Sequence, residues 1–375
     1  MFDYEMLRVI WWLLLGILLI GFAETDGFDL GLGAVFRFLG RTEPERRALI
    51  ETIEPVWDGN QVWLILGAGA VFAAWPTLYA ASFSALYPAM LLLLFALILR
   101  PVGFGFRNRL SDARWRNAWD WALCVGGAVP ALLFGIAFGD LFGGIPFHFD
   151  SLQRIIYGGG FFNLLTPFAI VCAFVSLSMM ILHGAAYASM KAGEPMSRRA
   201  CLTGMAAACV FVLSFALAGL MVTFWMNGYR IMGDIDPGGP SNPILKTVYR
   251  APGAWIDNYR KWPWMWLAPL IAFGGAALAC WMLALRRAGN AFMASCLVPA
   301  GTILTAGFAL FPFLLPSSEN PSHSLTVWDA SSSALTLRIM FWSVVVFLPV
   351  VLGYTAWVFR VLRGRITLEK LREHA

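Results

Sequence analysis

The sequence predicts an all-α integral membrane protein with about nine transmembrane helices, its N-terminus outside and its C-terminus in the cytoplasm. Three observations carry that prediction. Hydrophobic residues make up 59% of the 375 and charged residues only 13%, about half the charged share of a soluble domain. Apolar segments long enough to cross a bilayer recur from one end of the chain to the other. The loops between them alternate in Lys and Arg content. The 17 Trp and 30 Phe suit a chain whose aromatic side chains sit at membrane interfaces. Residues 1–375 read as a single polytopic membrane domain, arranged as two four-helix bundles plus one peripheral helix. The net charge of +5 then belongs to basic loops on one side and does not point to nucleic acid.

The segments fall at roughly 8–36, 58–75, 78–104, 118–142, 161–190, 200–228, 262–285, 289–315 and 336–360 by the span-length criterion. The first begins with the apolar run Val9–Ala23. It is preceded by Asp3 and Glu5 against a single Arg8, without a basic leader or a small-residue cleavage site, so it reads as a retained span. The second and third are separated by little more than Trp75-Pro76-Thr77, a turn in which Pro stops one helix and opens the next.

The first, third, fifth and seventh loops are basic. They hold Arg37, Arg41, Arg46 and Arg47; then Arg100, Arg107, Arg109, Arg114 and Arg116; then Lys191, Arg198 and Arg199; then Arg286 and Arg287. The tail adds Arg360, Arg363, Arg365, Lys370 and Arg372. Even loops are poorer, except the long sixth, where Arg230, Lys246, Arg250, Arg260 and Lys261 weaken the contrast. Excess Lys and Arg mark cytoplasmic loops, so the odd loops and the tail are expected in the cytoplasm. No internal repeat or disordered linker is visible.

Carboxylates are costly inside a span and mark function there. Glu24, Asp26 and Asp29 lie in the cytoplasmic half of the first segment. Asp26 and Asp29 are three apart and share a helix face, whereas Glu24 points elsewhere. Gly27, Gly31 and Gly33 permit close helix contact. The functional reading is a proton relay; the structural one is an interfacial carboxylate paired with Arg37 or a neighbouring loop. Asp58, Asn60 and Gln61 stand at the start of the second segment. There a buried Asp58 would hold and pass protons, or would cap the helix. Asp329 and the serines of Trp328-Asp-Ala-Ser-Ser-Ser333 read first as a helix cap.

His183 is the one histidine inside a span, with Met179 and Met180 nearby. A single turn of one helix cannot give two axial ligands to one iron, so a hydrogen-bonded interface histidine is expected rather than a haem ligand. The six cysteines form no C-x-x-C pair, which argues against zinc or a redox dithiol, and they read as packing thiols. No phosphate loop, nucleophile elbow or zinc motif is present. Without a self-contained active site, the chain reads as a transporter, a channel or one subunit of a larger membrane enzyme.

A set of short stretches narrows that choice. They are Asp3-Tyr4-Glu5, Arg8, Ile10-Trp11-Trp12, Thr25-Asp-Gly-Phe-Asp29, Trp57-Asp-Gly-Asn-Gln-Val-Trp63, Phe72-Ala-Ala-Trp-Pro76 and Leu99-Arg-Pro-Val-Gly-Phe104. Later come Arg114-Trp-Arg-Asn117, Ser241-Asn-Pro243, Gly253-Ala-Trp255, Phe311-Pro-Phe313, Pro316-Ser-Ser318, Ser324-Leu-Thr-Val-Trp-Asp329, Tyr354-Thr-Ala-Trp357 and Gly364-Arg-Ile-Thr367. Together the chain resembles subunit II of the cytochrome bd-type quinol oxidases, of the enterobacterial-like kind.

The resemblance implies a heterodimer in the bacterial inner membrane, often with a small single-span accessory subunit. Subunit I would hold two b-type haems, one d-type haem and the quinol site. Subunit II would hold no haem, support assembly and conduct cytoplasmic protons through Asp26, Asp29 and Asp58. A structural quinone lodges in subunit II of some members. An acidic residue often follows the Arg-Pro-x-x-Phe motif in relatives; here that position is Gly105, and water or Glu24 would take its part. The alternative from another class is a proton-coupled secondary transporter. Such folds place broken helices at mid-membrane, whereas these carboxylates lie toward one face.

Overall fold

A computed structural model describes residues 2–233 and 235–366. Lys370, Arg372 and His374 lie outside the described residues, as does Thr367.

The helices in chain order are α1 (Tyr4–Leu39), α2 (Glu43–Ile53), α3 (Trp57–Ala74), α4 (Pro76–Ala85), α5 (Tyr87–Phe106), α6 (Ala113–Gly143), α7 (Pro167–Lys191), α8 (Met196–Phe224), α9 (Asp257–Lys261), α10 (Leu267–Ala284), α11 (Ala288–Leu310) and α12 (Ala334–Val361). Among the described residues, eight helices are long and apolar enough to cross a membrane: α1, α5, α6, α7, α8, α10, α11 and α12. The expected second segment is α3, whose first turns carry Asp58, Asn60 and Gln61. The expected third segment is two helices. Pro88, in the first turn of α5, cannot donate to the turn before it, and the chain breaks at Leu86.

Three predicted ends also move. Residues 161–164 form a 3-10 turn, and α7 starts only at Pro167, where the Thr166 side chain accepts from the Ala169 N–H. The sixth segment stops at Phe224, because Asn227–Met232 is strand β3. The eighth stops at Leu310, ahead of Pro312, and Phe313–Leu315 is strand β5.

The loops carry structure that hydropathy does not register. One end of the molecule holds three antiparallel hairpins. They pair β1 (Phe147–Phe149) with β2 (Ile155–Tyr157), β3 with β4 (Thr247–Pro252), and β5 with β6 (Leu325–Thr326). The opposite end carries the short Arg-rich loops and α2. That helix is held at its start by Pro44 and by Glu45, whose carboxylate accepts from the Arg41 and Thr42 backbone N–H groups.

Helices α7, α8, α10 and α11 pack in a ring, and α1, α3, α5 and α6 form the second group, joined to it where α1 and α6 meet α7. The α1–α7 seam is close because Gly31 faces Gly184. A Cβ on Gly31 would overlap the Met180 carbonyl, and one on Gly184 would overlap the Leu32 backbone. Helix α12 touches α1 and α3, and Leu337 is its one buried residue. It is the peripheral helix.

Candidate functional site

The α1 periodicity turns Asp26 and Asp29 toward the same neighbours, and both are buried. Opposite Asp26 stands Arg100, inside α5 and also buried. The guanidinium donates from Nη2 to Asp26 Oδ1 at 2.7 Å and from Nη1 to Oδ2 at 3.0 Å, a bidentate pair. Asp29 Oδ2 lies 3.9 Å from Arg100 Nη2 and accepts from the Asn60 side-chain amide at 2.8 Å. Asp29 Oδ1 is buried without a partner among the described residues. A cavity of about 10 Å³ lies against Asp29 and Arg100, closed by Ile50 and Ile53 of α2. That is about the room one water needs.

Several expectations change here. Arg100 is not a loop arginine; it is the counter-charge of the carboxylate pair. Arg37 does not pair with these carboxylates and donates instead to the Asn117 side chain. Asp58 is exposed, not buried. Nor does it cap α3, whose N-cap is Val56 without a side-chain cap bond. Asn60, two residues on, points inward and takes the contact with Asp29. Glu24 stands apart from the network. Its Oε2 lies 3.9 Å from His183 Nε2 of α7, and the ligand-capable atoms of Glu24, His183 and Cys296 of α11 lie within 4.8 Å of one another. Gly105 has open space where a side chain would stand.

A second buried ion cluster closes the basic end. Asp120 of α6 accepts from Arg107 Nε at 2.6 Å and from Arg46 Nη1 at 2.7 Å. Arg107 also grips Glu43 with both Nη atoms, each at 2.8 Å. Arg199 pairs with Glu45 at 2.7 Å, and this hydrogen bond holds the Glu45 carboxyl below its ordinary range. These arginines count toward membrane orientation, but the sequence carries no sign of their partners. Asp120 was hidden in the apolar run that opens the fourth segment.

At the hairpin end, Arg8 is buried. It donates to Ser331, Ser241 and the Gly239 carbonyl and lies over the Tyr4 ring. Asp329 does not cap α12; Ser333 does. Asp329 accepts from the Thr326 N–H and pairs at 2.7 Å with Lys246, whose ammonium burial pulls below its usual range. Tyr4, Arg8, Ser241 and Ser331, far apart in the chain, meet in one hydrogen-bonded cluster.

The profile of cytochrome bd terminal oxidase subunit II matches residues 7–362. The chain is 48% identical over 374 residues to cytochrome bd-I ubiquinol oxidase subunit 2 of Escherichia coli, covering 100% of this chain and 99% of that one. It is 31% identical to cytochrome bd ubiquinol oxidase subunit 2 of Bacillus subtilis, over 96% and 97% of the two chains. A chain in the bd oxidase structure from Geobacillus thermodenitrificans superposes with a TM-score of 0.65, at 18% identity, over 95% of this chain and 98% of that one. The last shows the fold. The chain belongs to the cytochrome bd terminal oxidase subunit II family. It is a subunit of an oxidoreductase complex, a multi-pass protein of the bacterial inner membrane, and its class implies a subunit I partner and haem in the complex. Membership decides against the secondary transporter.

Proposed function

We propose that this chain is the haem-free subunit of a quinol-oxidising, oxygen-reducing complex, that it supports assembly of subunit I, and that it carries protons toward the oxygen-reducing site. The observation that carries the proton reading is the unpartnered Asp29 Oδ1. A buried carboxylate oxygen without a donor is costly. The bidentate grip gives each oxygen of Asp26 a donor from Arg100. Asp29 shares the same cation only at 3.9 Å, so it is the member free to take up and release a proton, with the small cavity beside it for a water. In the nine-span reading with N outside, these groups lie toward the cytoplasm.

Asp58 fits this reading as the uptake group. Its exposed carboxylate stands on a face of α3 that a partner subunit would cover, since a charge facing lipid is expensive. Two b-type haems and the d-type haem belong on subunit I, where quinol is oxidised. A structural quinone fits the apolar cavity of about 520 Å³ lined by Phe22, Met179, Phe215, Phe273, Tyr259 and Thr305, a volume within the usual ligand range. A small single-span accessory subunit completes the expected assembly.

The test is Asp29→Asn, which keeps size and the acceptor for Asn60. The purified complex should keep its reduced-minus-oxidised haem spectrum while oxygen consumption slows by at least about tenfold, as for loss of a proton-transfer group. Unchanged turnover with intact haem would sink the proton role. Absence of any co-purifying haem would sink the oxidase reading itself.

A further inference from the structure

The carboxylate that looks away from the proton network belongs to a second cluster. Glu24 of α1, His183 of α7 and Cys296 of α11 bring one oxygen, one nitrogen and one sulfur within 4.8 Å of one another. His183 is 1% exposed, and Phe292 stacks on its ring with centroids 4.9 Å apart. The Glu24 side chain is 22% exposed and forms the open side.

The hydrogen bonds around the imidazole bear on what it holds. Ser295 Oγ lies 2.8 Å from His183 Nδ1 and 2.7 Å from the Phe292 carbonyl. A hydroxyl has one hydrogen. When it goes to Phe292, Nδ1–H donates to Ser295, and the Nε2 lone pair is left facing the Glu24 carbonyl oxygen 3.0 Å away. Two acceptors then face each other, whereas with the Ser295 hydrogen on Nδ1 the Nε2–H donates to the Glu24 carbonyl and both ring nitrogens are satisfied. In the first tautomer the Nε2 lone pair is free to bind a cation together with the Glu24 carboxylate, whose Oε2 lies 3.9 Å away. Nδ1–H donation to a neighbouring oxygen is also the usual support of a metal-bound histidine.

We propose that Glu24, His183 and Cys296 bind one zinc-class divalent cation. The donors are carboxylate, imidazole and thiol, a borderline-soft set that suits zinc better than magnesium or calcium. Three protein ligands leave a fourth position for water. Ligation displaces the thiol proton of Cys296 to solvent, and the anionic sulfur and the carboxylate neutralise the ion. The bound ion ties α1, α7 and α11 together beside the helix face that carries Asp26 and Asp29.

The experiment uses the purified, detergent-solubilised complex. It is washed with a chelator, incubated with zinc chloride, freed of excess metal by gel filtration, and assayed for zinc by mass spectrometry. Zinc bound elsewhere in the complex is common to all variants, so the readout is a difference. His183→Gln and Cys296→Ser should each lose about one zinc per complex relative to the parent. In the parent, zinc should slow alkylation of Cys296 but not of Cys172. Equal zinc in parent and variants, or zinc-independent alkylation of Cys296, overturns the proposal. If those variants fail to assemble with haem, Glu24→Gln on the open side gives the same readout. Retained zinc there overturns it equally. The haem spectrum, read in parallel, keeps this outcome separate from any failure of the oxidase reading.

Discussion

Two buried arginine–carboxylate clusters lie within a few turns of each other, and they are built differently. Around Asp120, each carboxylate oxygen has its own arginine, and Arg107 spends its remaining donors on Glu43 and Asn108. Around Arg100, two carboxylates share one guanidinium. Asp26 takes both of its forks, while Asp29 keeps one oxygen without a donor. In the first cluster both Asp120 oxygens have a donor. The second is one cation short. Ion pairing by itself therefore says little about function. What separates a joint between α2, α5 and α6 from a group that exchanges protons is whether the last acceptor is satisfied.

The largest effect expected is at the complete cluster. Arg107→Ala leaves Asp120 and Glu43 without their main partner, a loss of about 3–5 kcal/mol for a broken buried pair. Little assembled complex should be recovered, with haem per membrane protein falling in step. Normal yield and full activity would show that the cluster is not structural. Next is Asp26→Asn, which frees Arg100 to pair with Asp29. Haem should be retained in what assembles and turnover should fall by about tenfold or more, because Arg100 then donates to the Asp29 oxygen that is otherwise free. Normal turnover in Asp26→Asn with haem retained, beside slowed turnover in Asp29→Asn, would show that Arg100 does not hold Asp29 back and that the division of labour between them is wrong.

Gly31→Ala tests whether the network depends on the α1–α7 seam. The added methyl meets the Met180 carbonyl, so a loss of about 1–3 kcal/mol from overpacking is expected, read as lower thermal stability of the complex. Gly105→Asp should do less. The position is open, so assembly should be unchanged and oxygen consumption should stay within about twofold. A large gain would mean that the missing carboxylate limits proton delivery here.

The smallest effect concerns pH. The folded-state pKa of Glu45 is lowered by Arg199 and by two backbone N–H groups. Its contribution, under about 1 kcal/mol for a pair near the surface, is therefore present above the ordinary carboxylate pKa. It is lost as pH falls through the lowered one. Thermal stability should decline on acidification below that ordinary range, and less so in Glu45→Gln. An equal decline in both would remove Glu45 from the account.

Where the apolar helices run, which loops are basic, and that Asp26 and Asp29 share a face are all legible along the chain. Each follows from local regularities: span length, charge counting and the 3.6-residue turn. Hydropathy misjudged Pro88, because it averages over a break that a single proline makes. It also merged strand and helix at 225–228 and 313–315, where apolar residues serve both. That Arg100 is the counter-charge rather than a loop residue, that Asp58 is exposed, and that Asp329 pairs with Lys246 instead of capping α12 follow from how the helices pack in three dimensions. The same holds for Glu24, His183 and Cys296. Their meeting depends on how α1, α7 and α11 are rotated about their axes. Close packing of α1 on α7 at Gly31 and Gly184 sets that rotation for two of the three, and no spacing along the chain records it.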